Sequence, residues 1–297
     1  FGAEYPPGST YKMSMTIAGI ANGAITPNET IYDAGKFLKY EGFSASCLYW
    51  TDYGMSHGTI NCKDALKYSC NYFFYELADR LTIDAIDKTA KSLGLGEPTG
   101  VELFERLGHR ANPETKASLH TGDDARWYTG DRILTGIGQS ENRFTPMQLC
   151  SYLTTIVNGG TRYKATFLNR VVSDDYRELI LQNEPVIASQ MKISNETYQT
   201  YMSGMRKVVM NDPQWGVFNG TAASFFGGPR DLYGHDDSVW PIQDSIWPLK
   251  NEIVVYAKTG TAEHSSGGSD HGQFVCFAHR KDETEPDIAV AVFGEKI

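Results

Sequence analysis

The chain has 297 residues, 41% of them hydrophobic and 21% charged, and a formal net charge of −9. Length and composition suffice for one large globular domain with its own core. The negative balance argues against nucleic acid and against an anionic membrane surface as partners, and no run of about 18 apolar residues predicts a membrane span.

The first predicted element is a buried helix that begins near Ser9. Residues 5–8 (Tyr-Pro-Pro-Gly) cannot be helical at their prolines, whereas residues 9–24 are rich in Met, Ile and Ala and lack proline. Ser9 is thus predicted beside free backbone N–H groups. Lys12 lies three residues on, within reach of the Ser9 hydroxyl, and an apolar wall would lower its pKa. The pattern indicates a nucleophile and its base, although a lone Ser-x-x-Lys is more often a cap with a snorkelling lysine.

A second predicted helix follows the string Ser-Cys-Asn, because residues 72–78 are an apolar helical stretch. Ser and Asn at a helix start usually cap it. In the functional interpretation, Ser69 relays a proton between Lys12 and a leaving amine, and Asn71 holds the amide carbonyl of a substrate.

The last motif follows a predicted strand at 253–257, which is rich in β-branched and aromatic residues. Lys258, Thr259 and Thr261 would meet a substrate carboxylate at this strand edge. Gly260 would let the substrate approach the backbone, and the Thr261 N–H would complete an oxyanion hole with that of Ser9.

Two further matches are predicted to be accidental. A second Ser-x-x-Lys at 189–192 has no long apolar helix behind it, so we interpret it as a surface or strand segment. A second Ser-x-Asn stands at 140–142. Sequence context separates these copies from the first set.

The three strings resemble the motifs of the penicillin-binding protein transpeptidases, which share a fold with serine β-lactamases. Most of the chain takes part in the likeness, and the class B, monofunctional, elongation-type members look closest. Ser140, Ala257 and Glu263 stand where the family commonly has Gly, Gly and Gln. The segments that carry the likeness are 5–12, 69–78, 94–103, 136–149 and 252–295.

The resemblance implies an α+β fold, with an antiparallel sheet flanked by helices and a helical subdomain beside it. Residues 1–297 would form one transpeptidase domain that lacks family elements at both ends. The region at about 211–250 is irregular, with several Trp-Pro and Gly-Gly-Pro steps, and we predict a surface insertion there.

The resemblance further implies a D,D-transpeptidase that cross-links peptidoglycan stem peptides through an acyl-enzyme on Ser9 and is acylated by β-lactams. Such a transpeptidase needs no catalytic cofactor. A membrane glycosyltransferase partner and a place on the extracytoplasmic face of the bacterial cytoplasmic membrane, with the anchor outside this chain, are also implied. The alternatives are a serine β-lactamase or β-lactam sensor domain, and a catalytically inert cell-wall scaffold.

Some elongation-type members bind structural zinc between the first two motifs, and four residues here match that pattern: Asp33, Cys47, His57 and Cys70. These side chains suit a closed tetrahedral site. Two alternatives stay open, a Cys47–Cys62 disulfide and unlinked thiols. An odd count of five cysteines excludes a complete disulfide set.

Overall fold

The computed structural model describes residues 1–210, 220–223, 252–262 and 271–295. Apart from 220–223, the predicted insertion at about 211–250 lies outside the described residues, as does Glu263. Among the described residues, no helix is both long and apolar enough to cross a bilayer.

Most of the helices of the described residues lie in the first two thirds of the chain. Short 3-10 helices cover Gly8–Tyr11 and Gly122–Ala125. The α-helices of the described residues are α1 (Lys12–Ala21), α2 (Leu48–Tyr53), α3 (Cys62–Lys67), α4 (Asn71–Arg80), α5 (Ile83–Ser92), α6 (Pro113–Leu119), α7 (Thr129–Thr135), α8 (Pro146–Val157) and α9 (Asn195–Val208).

The strands form one three-stranded sheet and four two-stranded ribbons within the described residues. The sheet order is β11-β10-β9, and the ribbons pair β1 with β4, β2 with β3, β5 with β8 and β6 with β7. All pairs are antiparallel. Their bounds are β1 (Thr30–Asp33), β2 (Lys36–Tyr40), β3 (Phe43–Ser46), β4 (Gly58–Asn61), β5 (Thr161–Tyr163), β6 (Arg170–Val172), β7 (Leu179–Gln182), β8 (Ile187–Gln190), β9 (Ile253–Ala262), β10 (His271–Arg280) and β11 (Ile288–Gly294).

The predicted α+β class with an antiparallel sheet is confirmed. The strand predicted at 253–257 is the first half of β9, which continues through the Lys-Thr-Gly-Thr string. Its register against β10 places Lys258 opposite Val275 and Gly260 opposite Gln273. Helix α9 packs along β9, and α8 packs on β10 and β11. The four ribbons were not predicted from the sequence.

Helix α1 is the central element of the core, as its sequence predicts. Met13, Met15 and Ile17 are fully buried, because a helix that is apolar on most sides can be covered all round. It ends at Ala21 rather than at residue 24. Gly23 has a φ of 68°, a left-handed conformation that ends helices and that glycine adopts at no steric cost.

The two accidental motif copies have structural roles. Ser189 lies in β8, as expected for a strand segment, and its hydroxyl accepts a hydrogen bond from Arg162 Nε at 3.0 Å. Asn142 is buried and its side-chain oxygen accepts from the Ala111 N–H at 3.0 Å.

Candidate active site

The 3-10 helix Gly8–Tyr11 carries Ser9 and runs directly into α1. The chain enters it after two prolines, and Gly8 takes a φ of 51°. The Gly8 N–H donates to the Gly138 carbonyl at 3.1 Å, and a side chain on Gly138 would meet the Gly8 carbonyl oxygen at 2.1 Å. Two glycines therefore let a neighbouring turn fasten the entry to Ser9, which is 8% exposed.

Lys12 is the first residue of α1 and its side chain is fully buried. Its ammonium donates to three oxygens of the second motif: the Ser69 carbonyl at 2.7 Å, Ser69 Oγ at 3.3 Å and Asn71 Oδ1 at 2.5 Å. Burial lowers the pKa of Lys12 to about 8, against the opposing effect of the Cys47 and Cys70 thiols. A lysine with this pKa is a usable base near neutral pH.

Ser69 lies between α3 and α4 with a φ of 54°. The residue that caps α4 is Cys70, whose sulfur accepts from the Phe73 N–H, and Asn71 is the first residue of that helix. A capping role for Ser69, the alternative left by the sequence, is therefore wrong. The left-handed backbone of Ser69 costs about 1–2 kcal/mol for a serine. In this conformation the Ser69 hydroxyl accepts hydrogen bonds from two lysines.

Lys258 is the second lysine on that hydroxyl. It is fully buried in β9 and donates to Ser69 Oγ at 2.8 Å and to the Thr259 carbonyl at 2.7 Å. Burial, and then the nearby charge of Lys12, hold the pKa of Lys258 well below its usual value. Since two buried ammonium groups on one oxygen repel each other, the arrangement favours loss of protons and suits proton transfer.

Gly260 has a packing role that the sequence analysis did not predict, beside the expected approach of substrate to its backbone. A side chain here would meet Thr10 Cγ2 at 3.0 Å and both Pro7 O and Gln273 Cβ at 3.2 Å. The glycine therefore lets β9 pack against the 3-10 helix of Ser9. Thr261 is exposed on the same strand. The Thr259 hydroxyl lies within hydrogen-bond distance of the Thr221 hydroxyl.

Gln273 is a residue that the sequence analysis missed. It is 5% exposed on β10; its amide donates to the Pro6 carbonyl, and its side-chain oxygen accepts from Thr10 Oγ1 at 3.4 Å. It therefore ties the segment around Ser9 to the strand next to β9. No local pattern marks it, because its partners are 263 and 267 residues away.

The four proposed metal ligands come together. The ligand atoms of Asp33, Cys47, His57 and Cys70 all lie within 4.8 Å of one another. Asp33 is positioned by the Gly35 N–H at 2.7 Å and by the His57 N–H at 3.0 Å, both of which donate to its carboxylate. The cluster therefore has the donor set of a closed zinc site.

Two of the donor separations are compatible with a tetrahedral zinc site, and a third is too short for one. The Cys47 and Cys70 sulfurs are 3.9 Å apart, and Cys47 Sγ is 3.7 Å from His57 Nδ1. Zinc bond lengths of roughly 2.3 Å to sulfur and 2.05 Å to nitrogen predict about 3.8 and 3.6 Å for these edges. Asp33 Oδ2 is closer to His57 Nδ1, at 2.8 Å, because the two share a hydrogen bond.

The charges in the cluster favour a cation. The hydrogen bond with Cys70, with smaller contributions from His57, lowers the pKa of Cys47 to about 4. Burial opposes a charge on His57, but its bonds to Asp33 and Cys47 raise its pKa to about 9. A thiolate and a carboxylate thus share one buried pocket with a protonated imidazole, whose positive charge a bound cation would replace.

All five cysteines lie in the described part of the chain and are free thiols. Cys62 is fully buried, and burial raises its pKa to about 12. Cys150 on α8 and Cys276 on β10 are partly buried where α8 packs on the sheet. The Cys47–Cys62 disulfide is absent from this structure.

Comparisons with known proteins agree with the motifs. A sequence model described as the penicillin binding protein transpeptidase domain matches residues 1–295. The peptidoglycan D,D-transpeptidase MrdA of Escherichia coli K12 is 30% identical over 225 residues, which is 75% of this chain and 33% of MrdA. The chain thus spans about a third of the length of this curated relative.

Solved structures share the fold. Pseudomonas aeruginosa PBP2, in a complex with WCK 5153, aligns with a TM-score of 0.73 and 24% identity over 99% of this chain and 57% of that one. Helicobacter pylori PBP2 in a complex with MreC aligns with a TM-score of 0.70 and 23% identity, over 98% of this chain and 45% of that one. A chain of a peptidoglycan synthase complex that coordinates polymerisation and crosslinking aligns with a TM-score of 0.70 and 22% identity, over 99% of this chain and 43% of that one.

The chain therefore matches its family in sequence and fold. The relatives named MrdA bear out the predicted class B, elongation type. The chain belongs to the penicillin-binding protein transpeptidase domain family.

Proposed function

We propose that this chain is the catalytic domain of a peptidoglycan D,D-transpeptidase. The observation that carries the proposal is the Ser69 hydroxyl, held by Lys12 and by Lys258 from two distant parts of the chain. Such a shared hydroxyl links a base to a second proton carrier, as acyl transfer requires. Members of this family need no catalytic cofactor, and each step below uses groups of the chain itself.

In the first half-reaction Ser9 is the nucleophile. Neutral Lys12 accepts the Ser9 hydroxyl proton while the oxygen attacks the carbonyl between the two terminal D-alanines of a stem peptide. The backbone N–H groups of Ser9 and Thr261 stabilise the oxyanion, each by about 3 kcal/mol. Asn71 Oδ1 accepts a hydrogen bond from Lys12, and the Asn71 side-chain amide nitrogen would donate to the amide carbonyl of the substrate.

The tetrahedral intermediate then collapses. The C–N bond breaks, and the leaving D-alanine nitrogen takes a proton from Ser69, which Lys12 resupplies with the proton it took from Ser9, while Lys258 holds the Ser69 hydroxyl. An amine from a neighbouring stem attacks the acyl-enzyme, the ester bond to Ser9 breaks, and the amine proton passes through Ser69 and Lys12 to Ser9 Oγ. A β-lactam would enter the first step and remain as an acyl adduct.

Substrate recognition rests on the exposed face of β9. The Thr259 and Thr261 hydroxyls are the proposed donors to the terminal carboxylate, whereas Lys258 is fully buried beneath them. Lys258 therefore supports the carboxylate by charge and serves Ser69 by hydrogen bonding.

The alternatives have less support. A serine β-lactamase or a β-lactam sensor domain would carry the same three motifs, but the relatives are named transpeptidases. An inert scaffold would not require two buried lysines on one hydroxyl, an arrangement that costs desolvation energy.

Intact-protein mass after brief exposure to benzylpenicillin tests the proposal. We expect one stable adduct on the native protein and none on Ser9→Ala, with circular dichroism showing that both are folded. Rapid release of hydrolysed penicillin would favour the lactamase. No adduct on folded native protein would refute the transpeptidase function.

We also propose that Asp33, Cys47, His57 and Cys70 hold a structural zinc ion. The support is the closeness of their ligand atoms and the thiolate character of Cys47. With all four positions taken by side chains, no position is left for a reactive water. The ion would fix Cys70, which lies between Ser69 and Asn71.

Peptidoglycan stem peptides and β-lactams are the proposed ligands, and a membrane glycosyltransferase is the proposed partner. The protein would act on the extracytoplasmic face of the bacterial cytoplasmic membrane. The synthase complex that combines polymerisation and crosslinking shares this fold and supports the partner. Co-purification of the full-length protein with a polymerase from solubilised membranes would test it, and its persistent absence would count against the partner.

A further inference from the structure

Thr221 lies beside the third motif and has no part in the site described so far. Its hydroxyl oxygen is 2.7 Å from that of Thr259. Its N–H donates to the Lys67 carbonyl at 3.2 Å, in the last turn of α3 and two residues before Ser69. The exposed Thr221 thus connects the second motif to the third.

The backbone around Thr221 is held firmly. The Ala222 N–H donates to the Val208 carbonyl at 3.0 Å, and Ala222 is fully buried with Val208 and Ala257. A side chain on Gly220 would meet the Val208 carbonyl oxygen at 2.2 Å, so the segment lies tightly on the end of α9. The backbone position from which the Thr221 side chain extends is therefore fixed.

A hydroxyl has one proton to donate and can accept as well. In the bond between Thr221 and Thr259 either oxygen can be the donor. When Thr221 donates, the Thr259 proton is free for another acceptor, and hydrogen bonds in such a chain strengthen one another. The Thr259 carbonyl is meanwhile held by Lys258, so the residue is fixed at two points.

We propose that Thr221 is a positioning residue that donates to Thr259 and thereby directs the Thr259 hydroxyl proton to the carboxylate of the acyl donor. The inference rests on the proposed transpeptidase function and extends it to substrate recognition. Thr221 acts through Thr259. Removing the Thr221 hydroxyl should therefore slow acylation only in proteins that still have the Thr259 hydroxyl.

The experiment measures the second-order rate constant for acylation of Ser9 by benzylpenicillin, whose carboxylate stands for that of the terminal D-alanine. Thr221→Val removes the hydroxyl with little change of shape, Thr221→Ala is a second hydroxyl-free variant, and Thr221→Ser keeps the group. Thr259→Val and the double variant with Thr221→Val complete a cycle. Thermal melting shows that each protein is folded.

We expect Thr221→Val and Thr221→Ala to acylate roughly tenfold more slowly than the native protein, the upper end of the effect of one hydrogen bond between neutral groups. Thr221→Ser should stay within about twofold of native. In the Thr259→Val background, the second change should cost less than about twofold.

Three results would overturn the inference. Equal rates in native protein and Thr221→Val would show that the hydroxyl has no role. The same tenfold loss with and without the Thr259 hydroxyl would indicate general distortion of the cleft. Failure of native, folded protein to form a Ser9 adduct would overturn the proposed function, and this inference with it.

Discussion

Two serines of the described chain adopt left-handed backbone conformations, with opposite consequences. Ser69 has a φ of 54° and its hydroxyl bonds two lysines. Ser140 has a φ of 61°, and its buried hydroxyl has no hydrogen-bond partner. Strain at Ser69 therefore accompanies a functional contact, whereas Ser140 departs from the glycine common in the family without a visible gain.

Ser140→Gly should stabilise the protein by about 1 kcal/mol, because glycine adopts this φ freely and the unpartnered hydroxyl disappears. Chemical denaturation measures the change. Ser118→Gly is the matched control: Ser118 lies within helix α6, where glycine costs up to about 1 kcal/mol. Destabilisation by Ser140→Gly would show that the position tolerates serine without strain.

The lysine base makes acylation dependent on pH. Burial lowers the pKa of Lys12 to about 8, and its neutral form takes the Ser9 proton. The acylation rate should therefore rise about tenfold per pH unit below pH 8 and level off above it. Benzylpenicillin acylation measured from pH 6 to 9.5 tests this. Lys12→Arg, which keeps its proton throughout, should be folded but inactive; a flat native profile would exclude Lys12 as the base.

At the scale of elements, the start of α4 joins the active site to the cluster of Asp33, Cys47, His57 and Cys70. Cys70 caps the helix and also belongs to the cluster, between two residues of the second motif. The Lys39 ammonium also contacts α4, through Glu76 and Asp79. Helix α4 is thus held at its N-terminus by the cluster and further along by surface ion pairs.

Replacing Cys70 separates these two roles. Cys70→Ser can still cap α4 but is a poor zinc ligand, so the purified protein should lose its zinc, and the acylation rate should fall more than tenfold through displacement of Ser69 and Asn71. Metal content by mass spectrometry and acylation by benzylpenicillin are the readouts. Cys62→Ala, outside the cluster, should keep one zinc ion. Zinc-free native protein with full activity would exclude the site.

The sequence predicted those elements whose signals are local. The helix after Ser9 and the strand before Lys258 are set by apolar content and proline placement. The cap of α4 escaped prediction, because Ser69, Cys70 and Asn71 are consecutive polar or small residues and only tertiary contacts choose among them. Thr221 and Gln273 escaped because their partners lie far away in sequence.

At the scale of the whole molecule, a large core connects the parts of the site within the described residues. Its buried apolar side chains run from Tyr11 on the Ser9 turn through Phe74 on α4 to Phe277 on β10. Tyr256 of β9 packs against this core, and a second, small cluster that includes Ala257 lies between β9 and α9. The distances between the motifs, 2.7 to 3.3 Å in the lysine contacts with Ser69, depend on packing that no single motif encodes.

Removing a large buried side chain from this core should destabilise the fold and the active site together. Phe277 is fully buried and stacks on Tyr256, with ring centroids 4.6 Å apart. Phe277→Ala should cost about 3–5 kcal/mol of unfolding free energy, and melting followed by circular dichroism should coincide with loss of penicillin acylation. Phe104→Ala removes a ring that is 83% exposed and should change stability by less than about 0.5 kcal/mol. Acylation lost well below the melting temperature of the sheet would instead mean that the helical part around Ser9 and Ser69 unfolds as a unit of its own.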